Sequence, residues 1–169
     1  MKPELINKEE LKELYDKDFP LWAEINLELL KEKAYELVDW EHLLEEIEDM
    51  ARSDLKACIS YLAVILEHLY KWDNFRHFVG ELGGRSWVKS VIKARDKLSL
   101  NLERYPSLKN KVEQAVQEAW EDAIVELRAW LLDNGFDPED FQIPKKCPYT
   151  YQEAISRDLR KELEDEGRA

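Results

Sequence analysis

Residues 40–72 read WEHLLEEIEDMARSDLKACISYLAVILEHLYKW, and this stretch contains no glycine and no proline. Because these two residues most disfavour a helix interior, the stretch predicts one long helix, or two helices that bend near Ser53. Apolar residues at helical spacing predict one buried face, formed by Leu43, Ile47, Met50, Cys58, Tyr61, Leu62, Ile65, Leu69 and Trp72. We therefore place this segment at the centre of an all-α fold.

Signals for helix ends divide the rest of the chain into further helices. The residues that favour a helix N-cap are Asn7, Asp18, Asp39, Ser86 and Thr150. Pro106 ends one helix, and Gly135 provides a C-terminal cap for another. The sequence predicts a single all-α domain at residues 1–157, a bundle of about five to six helices with short loops. The charged tail at residues 158–169 is expected to fray.

Composition and charge exclude several classes of protein. The chain has 169 residues and a formal charge of −12, which disfavours non-specific binding to nucleic acid or to anionic lipid. It contains no run of eighteen apolar residues, so we predict no membrane-spanning helix. Residues 1–5 lack the apolar segment of a secretory signal. Cys58 and Cys147 form neither a disulfide framework nor a metal-binding motif, and we expect a cytoplasmic protein with reduced thiols.

Six short motifs occur in a fixed order along the chain. They are Asp18-Phe19-x-x-Trp22, residues 39–48 (DWEHLLEEIE), 68–72 (HLYKW), 85–87 (RSW), 106–108 (PSL) and 147–150 (CPYT). As an ordered set, which covers residues 14–155, they resemble the bacterial family called domain of unknown function 29. The resemblance implies a small all-helical protein and assigns it no biochemical role. The loop at residues 73–84 departs from the usual pattern of that family, in which it is more basic.

An acidic run on the long helix is a candidate metal site. Glu45, Glu46 and Glu48, together with His68, supply the ligand types of metal-binding helical bundles. Such bundles use Glu-x-x-His, however, and this sequence contains none. On a straight helix Glu46 and His68 lie about 33 Å apart. A metal site therefore requires a fold-back near Ser53 or a second chain; a solvated acidic face is the simpler interpretation, and we expect no cofactor.

A second candidate surface is basic. The segment 85–111 has eight basic and two acidic residues, a formal charge of +6 that leaves −18 on the rest of the chain. Within it, one cation every four residues forms what we call the basic ridge: Arg85, Lys89, Lys93 and Lys97. A nucleic-acid backbone or an acidic protein could bind there. We favour the alternative, in which the ridge neutralises the acidic helices of the chain itself or is simply solvated.

Three tryptophans, Trp40, Trp72 and Trp87, lie beside predicted helix ends, where rings can line a groove or an oligomer contact. With the basic ridge they are the candidate partner-binding residues. The sequence contains no catalytic motif, so we name no catalytic residue. We predict a non-enzymatic protein-binding or regulatory module with a protein partner or a homo-oligomeric state. The alternatives are a metal-binding bundle or metal-dependent enzyme using the acidic run, and a nucleic-acid binder using the basic ridge.

Overall fold

The computed structural model describes residues 6–80 and 83–168, and within these ranges the chain is all-α, as predicted. Its helices are α1 (Lys8–Lys17), α2 (Phe19–Lys31), α3 (Trp40–Asn74), α4 (Arg85–Arg104), α5 (Lys109–Gln114), α6 (Val116–Asp133), α7 (Tyr151–Ser156) and α8 (Leu159–Arg168). Short 3-10 helices lie at Tyr35–Leu37, Arg76–Phe78, Pro106–Leu108 and Pro138–Asp140. Residues 1–5, which the sequence predicts not to be a secretory signal, fall outside the described ranges, as do residues 81 and 82 of the predicted loop.

No helix within the described ranges has the length and apolar character needed to span a membrane. That agrees with the absence of a long apolar run in the sequence.

Side-chain caps mark the starts of α1, α2 and α7. Asn7 forms a capping box with Glu10 at the start of α1, and Thr150 forms another with Glu153 at the start of α7. The Asp18 carboxylate accepts a hydrogen bond from the backbone N–H of Leu21 at the start of α2. These three predicted caps are confirmed, because a cap depends on residues within one helical turn.

The prediction that Ser86 caps a helix is wrong. Helix α4 already begins at Arg85, and its N-cap is Gly84, which has a φ of 90°. A Cβ atom at Gly84 would lie 2.9 Å from the Trp72 ring, so the position requires glycine for both backbone conformation and space.

The number of helices is eight within the described ranges rather than five to six. Between Pro106 and the predicted cap at Gly135 the chain forms two helices, because it is interrupted at Ala115, whose N–H donates to the carbonyl of Val112 and so closes a tighter turn. Within the charged tail predicted at residues 158–169, Leu159–Arg168 form α8, and residue 169 lies outside the described ranges. That this tail frays stays a prediction. The Asp158 carboxylate accepts a hydrogen bond from the N–H of Lys161, which is the arrangement of an N-cap.

The chain divides into two compact units, residues 1–52 (unit 1) and residues 53–169 (unit 2), and α3 begins in the first and ends in the second. Each unit has its own apolar core. The buried core residues of unit 1 are Leu11, Trp22, Ile25, Leu29 and Val38. The core of unit 2 is larger and includes Ile65, Leu69, Trp72, Trp87, Trp120 and Leu131. The single domain predicted at residues 1–157 stays a prediction.

Candidate functional site

Unit 1 is organised around a fully buried carboxylate, that of Asp39, which directly precedes α3. Its Oδ2 atom accepts a hydrogen bond of 2.9 Å from Trp22 Nε1 of α2 and lies 2.6 Å from His42 Nδ1 of α3. The backbone N–H of Asp39 donates to the side chain of Asn26, which is also buried. The Asp39 side chain therefore ties α2 to the first turn of α3, a stronger role than the simple N-cap that the sequence predicts.

The hydrogen bond between His42 and Asp39 changes the pKa of both groups. Burial acts to raise the pKa of Asp39, but the hydrogen bonds from His42 and Trp22 outweigh it, and that pKa lies below its usual range. The hydrogen bond to Asp39 raises the pKa of His42, against a smaller opposing effect of burial. Asp39 and a protonated His42 therefore form a stabilised ion pair.

Helix α1 contributes an aromatic face to the same cluster. The Tyr15 ring stacks on the His42 ring, with centroids 4.0 Å apart and planes inclined by 14°. The Tyr15 hydroxyl donates a hydrogen bond of 2.6 Å to Glu46, which raises the pKa of Tyr15 to about 12. The groups around His42 are thus aromatic rings and carboxylates, and its partners join α1, α2 and α3. This arrangement holds α1, α2 and the start of α3 in position.

The predicted buried face of α3 is covered over only part of its length. In unit 2 the side chains of Cys58, Leu62, Ile65, Leu69 and Trp72 are buried, as predicted. In unit 1, Ile47 is 52% exposed and Met50 is 72% exposed, so the prediction that these two residues are core is wrong. Leu43 packs against the core of unit 1 but is only partly buried.

An exposed apolar row therefore runs along the beginning of α3, and we call it the α3 stripe. Its members are Trp40 (42% exposed), Leu44 (55%), Ile47 and Met50. The indole N–H of Trp40 donates 2.8 Å to the carbonyl of Tyr35, which fixes the ring at the start of the helix. Residues spaced by three and four positions share one face of a helix, so these side chains form one continuous surface.

Exposed acids border the α3 stripe. Glu41, Glu45 and Glu48 each follow a stripe residue directly in the sequence, and all three are exposed. Glu41 pairs with Lys12 at 3.0 Å and Glu48 with Arg52 at 3.4 Å, and both pairs are on the surface. Unit 1 as a whole has seven Lys or Arg residues against sixteen Asp or Glu residues, a formal charge of −9.

The candidate metal ligands are divided between the two units. Glu45, Glu46 and Glu48 belong to unit 1 and His68 to unit 2. Glu46 accepts the Tyr15 hydroxyl, and His68 Nδ1 lies 2.7 Å from the carbonyl oxygen of Val64. Within the described ranges, no group of three or more His, Cys, Asp or Glu side chains could hold a metal ion.

In unit 2, the motif around His68 contains a buried ion pair. Lys71 and Glu67, which are 5% and 8% exposed, pair at 2.5 Å along α3. The Lys71 ammonium group also lies 4.9 Å from the centroid of the Trp130 ring, a cation–π contact with α6. Burial lowers the pKa of the neighbouring His68, although Glu67 opposes the shift. The sequence-based interpretation of these residues as structural agrees with this packing.

Two of the three candidate tryptophans are core residues. Trp72 is 4% exposed and Trp87 is 7% exposed, so neither presents a ring to a partner in this structure. The Arg76 guanidinium stacks on Trp72 with 3.8 Å to the ring centroid, and Trp87 packs edge-on against Trp130. Of the predicted partner-binding rings, only that of Trp40 is exposed. Helix ends alone do not distinguish the two cases, because the covering helices come from distant parts of the chain.

The basic ridge is on the solvent side of α4, as predicted. Arg85, Lys89, Lys93 and Lys97 are all exposed. None of the four forms an ion pair with a residue in the described ranges. Lys97 lies over the Tyr61 ring at 5.6 Å. The ridge is therefore solvated in this structure and is not engaged by the acidic side chains that the structure describes.

Sequence reasoning missed a polar cluster in unit 2. Arg157 donates two hydrogen bonds to Asp73, of 2.7 and 2.8 Å, and pairs with Glu162. The Tyr149 hydroxyl also donates to Asp73, at 2.7 Å. Burial and the bond to Asp73 raise the pKa of Tyr149. Asp73 and Arg157 are 84 positions apart, and no local pattern in the sequence signals such a contact.

Two grooves in unit 2 could admit small molecules. One, of about 420 Å³, is lined by Ser60, Ala63, Val64, Glu67, Asp122, Val125 and Glu126. The other, of about 570 Å³, is lined by Arg95, Asp96, Leu98, Ser99, Leu102, Glu103, Lys109, Tyr151 and Ile155. Neither lining includes a histidine or a cysteine among the residues described.

Comparison with known proteins assigns the chain to a family. A family model described as Domain of unknown function DUF29 matches residues 14–159. No curated protein and no solved structure matches the chain. The matched range includes the buried Asp39 cluster of unit 1, the α3 stripe and most of unit 2. Because the match covers most of its length, the chain belongs to the DUF29 family.

Proposed function

We propose that the protein is a non-enzymatic binding module that recognises another protein through the α3 stripe. The observation that carries the proposal is the exposure of four large apolar side chains, Trp40, Leu44, Ile47 and Met50, on successive turns of one helix. Contiguous apolar surface of this kind is typical of interaction sites, whereas single exposed apolar residues are ordinary.

The energetics favour a partner at this surface. Complete burial of an apolar side chain contributes a transfer free energy of about 1.5–3 kcal/mol. Four half-exposed side chains therefore leave several kcal/mol of this free energy unrealised, and a partner that covered them would gain it as binding free energy. Tryptophan is among the residues that contribute most to binding hot spots, and Trp40 is held in place by its hydrogen bond to Tyr35. The proposal places this module in the cytoplasm, where Cys58 and Cys147 would stay reduced.

Site-specific photo-crosslinking in cells of the native host tests the proposal. A photo-reactive amino acid replaces Leu44 in one variant and Val125 of α6 in the control, because Val125 is 64% exposed and lies outside the stripe. We expect a protein adduct from position 44, none from position 125, and loss of the first when Ile47→Glu is added. No adduct at position 44, or equal adducts at both positions, would refute the proposal.

Nucleic-acid binding through the basic ridge is the second candidate. It is favoured by one observation: the ridge is exposed and free of ion pairs to the described residues. The charge of −12 opposes it. Titration of single- and double-stranded oligonucleotides at two salt concentrations decides the matter. Salt-dependent binding that Lys89→Glu/Lys93→Glu removes would support this candidate over the first.

A further inference from the structure

We infer that the occupant of the α3 stripe is a cationic amphipathic helix of a partner protein. This inference rests on the proposed function and deepens it, because it names the chemistry of the partner. Its basis is the juxtaposition of the apolar stripe with the exposed acids Glu41, Glu45 and Glu48.

The spacing of the stripe fits a helix. Trp40, Leu44 and Ile47 follow one another at intervals of four and three residues, and the next position in this series is the exposed Ala51. Intervals that alternate between four and three residues produce the seam along which two helices pack side by side. The seam from Trp40 to Ala51 is about 16 Å long, which three turns of a partner helix would cover.

The charges beside the seam select a cationic partner. Glu41 and Glu48 directly follow the seam residues Trp40 and Ile47, and such flanking positions determine partner choice in paired helices. The ion pairs that these acids form with Lys12 and Arg52 are exposed, and pairs of this kind contribute little, so a partner's cations can replace them. Glu45 forms no ion pair with a residue of the described ranges.

The same charges disfavour a second copy of this chain. An antiparallel pair of identical seams would bring Glu41 and Glu48 of one copy against the same residues of the other. With a formal charge of −9 on each unit 1, like charges would meet across the contact. An anionic lipid surface is disfavoured for the same reason.

Two synthetic helical peptides provide the probe. Both carry the same leucine and isoleucine seam, and the flanking positions are all lysine in one and all glutamate in the other. Fluorescence anisotropy of the labelled peptides measures binding to the full chain at low and high salt. We expect the lysine peptide to bind at least about tenfold more tightly than the glutamate peptide at low salt, with the difference shrinking as salt increases.

Matched variants assign the effect to the stripe. Leu44→Glu/Ile47→Glu should abolish binding of the lysine peptide, and because both side chains are exposed the fold should be unchanged by circular dichroism. Glu41→Lys/Glu45→Lys/Glu48→Lys should reverse the preference between the peptides. The control is Glu118→Lys/Glu121→Lys/Glu126→Lys on α6, where all three acids are exposed. It changes the net charge by the same amount as the stripe variant and should leave the preference for the lysine peptide unchanged.

Several results would overturn the inference. They are no binding of the lysine peptide, equal binding of both peptides, a preference that survives reversal of the three stripe acids, or loss of the preference in the α6 control. Dimerisation in sedimentation velocity, or binding to vesicles of phosphatidylcholine and phosphatidylglycerol, would identify a different occupant if Leu44→Glu/Ile47→Glu removed it. A protein adduct at position 44 combined with failure of the lysine peptide would leave the proposed function standing and refute only this inference.

Discussion

Helix α3 runs through two units of the chain, and its apolar side chains are mostly buried in unit 2 but mostly exposed in unit 1. In unit 2, Ile65 is completely buried in the larger of the two apolar cores. In unit 1, Ile47 belongs to the same helix but is half-exposed. An amphipathic pattern shows which face a helix can bury, but it does not show whether another element covers that face.

The largest expected effect contrasts the two isoleucines. Ile65→Ala should destabilise the protein by about 2–5 kcal/mol, because it removes buried methyl groups and leaves a cavity. Ile47→Ala should change stability by less than about 0.5 kcal/mol, since its side chain is largely solvated. Urea denaturation of both variants measures the difference. Equal midpoints for the two would show that burial along α3 is uniform and remove the distinction between the units.

A somewhat smaller effect is expected at the polar centre of unit 1. Asp39→Ala should cost about 2–3 kcal/mol, because it leaves the buried Trp22 N–H without an acceptor and removes the partner of His42. Asp73→Ala in unit 2 should cost about 1 kcal/mol or less, since the bond of Asp73 with Arg157 is partly exposed. Equal losses in urea denaturation would mean that burial of Asp39 has no energetic consequence.

The same measurements test the prediction of one domain at residues 1–157. If the two units unfold cooperatively, Ile65→Ala in unit 2 and Asp39→Ala in unit 1 should shift one common transition. Circular dichroism and tryptophan fluorescence should then give coincident curves for each variant. Two separated transitions, each sensitive to only one substitution, would show that the units fold independently.

The third comparison concerns the residues that follow the C-termini of two helices, where substitutions should change stability by about 1 kcal/mol. Helices α2 and α6 end in the same motif, with Lys33 at a φ of 62° in unit 1 and Gly135 at a φ of 82° in unit 2. Lys33→Gly should stabilise the protein by about 0.5–1 kcal/mol, because glycine adopts positive φ without steric cost. Gly135→Ala should destabilise it by about 1 kcal/mol, although no atom lies within 4 Å of the added Cβ. Thermal midpoints that move in the same direction would contradict this account.

The smallest expected effect is the pH dependence of stability, to which His42 in unit 1 and His68 in unit 2 contribute in opposite directions. The raised pKa of His42 stabilises the folded state fully below pH 6.5, and this contribution is lost as the pH rises through the folded-state value above 6.5. The lowered pKa of His68 acts in the opposite sense: its contribution is present above pH 6.5 and is lost as the pH falls through the folded-state value below 6.5. An NMR titration of the two imidazoles should give midpoints on opposite sides of 6.5. Asp39→Asn should lower the midpoint of His42 and leave that of His68 unchanged.

The sequence alone determined the features that depend on short-range contacts. The caps at Asn7, Asp18 and Thr150 and the glycine after α6 each act within about one turn of helix, so local composition is enough to predict them. The apolar face of α3 was predicted from helical spacing alone, and the prediction is confirmed at Cys58, Leu62, Ile65, Leu69 and Trp72. The solvent side of α4 was predicted from the spacing of its four cations in the same way.

Only the tertiary structure decided what covers each helix. It buried Trp72 and Trp87 and left Trp40, Ile47 and Met50 exposed, although all five residues occupy comparable positions in the apolar pattern. It also joined Asp73 to Arg157 across 84 positions of the chain. The physical reason is the same in each case. Burial and long-range pairing depend on residues that are distant in sequence, whereas periodicity and caps reflect only a residue's neighbours along the chain.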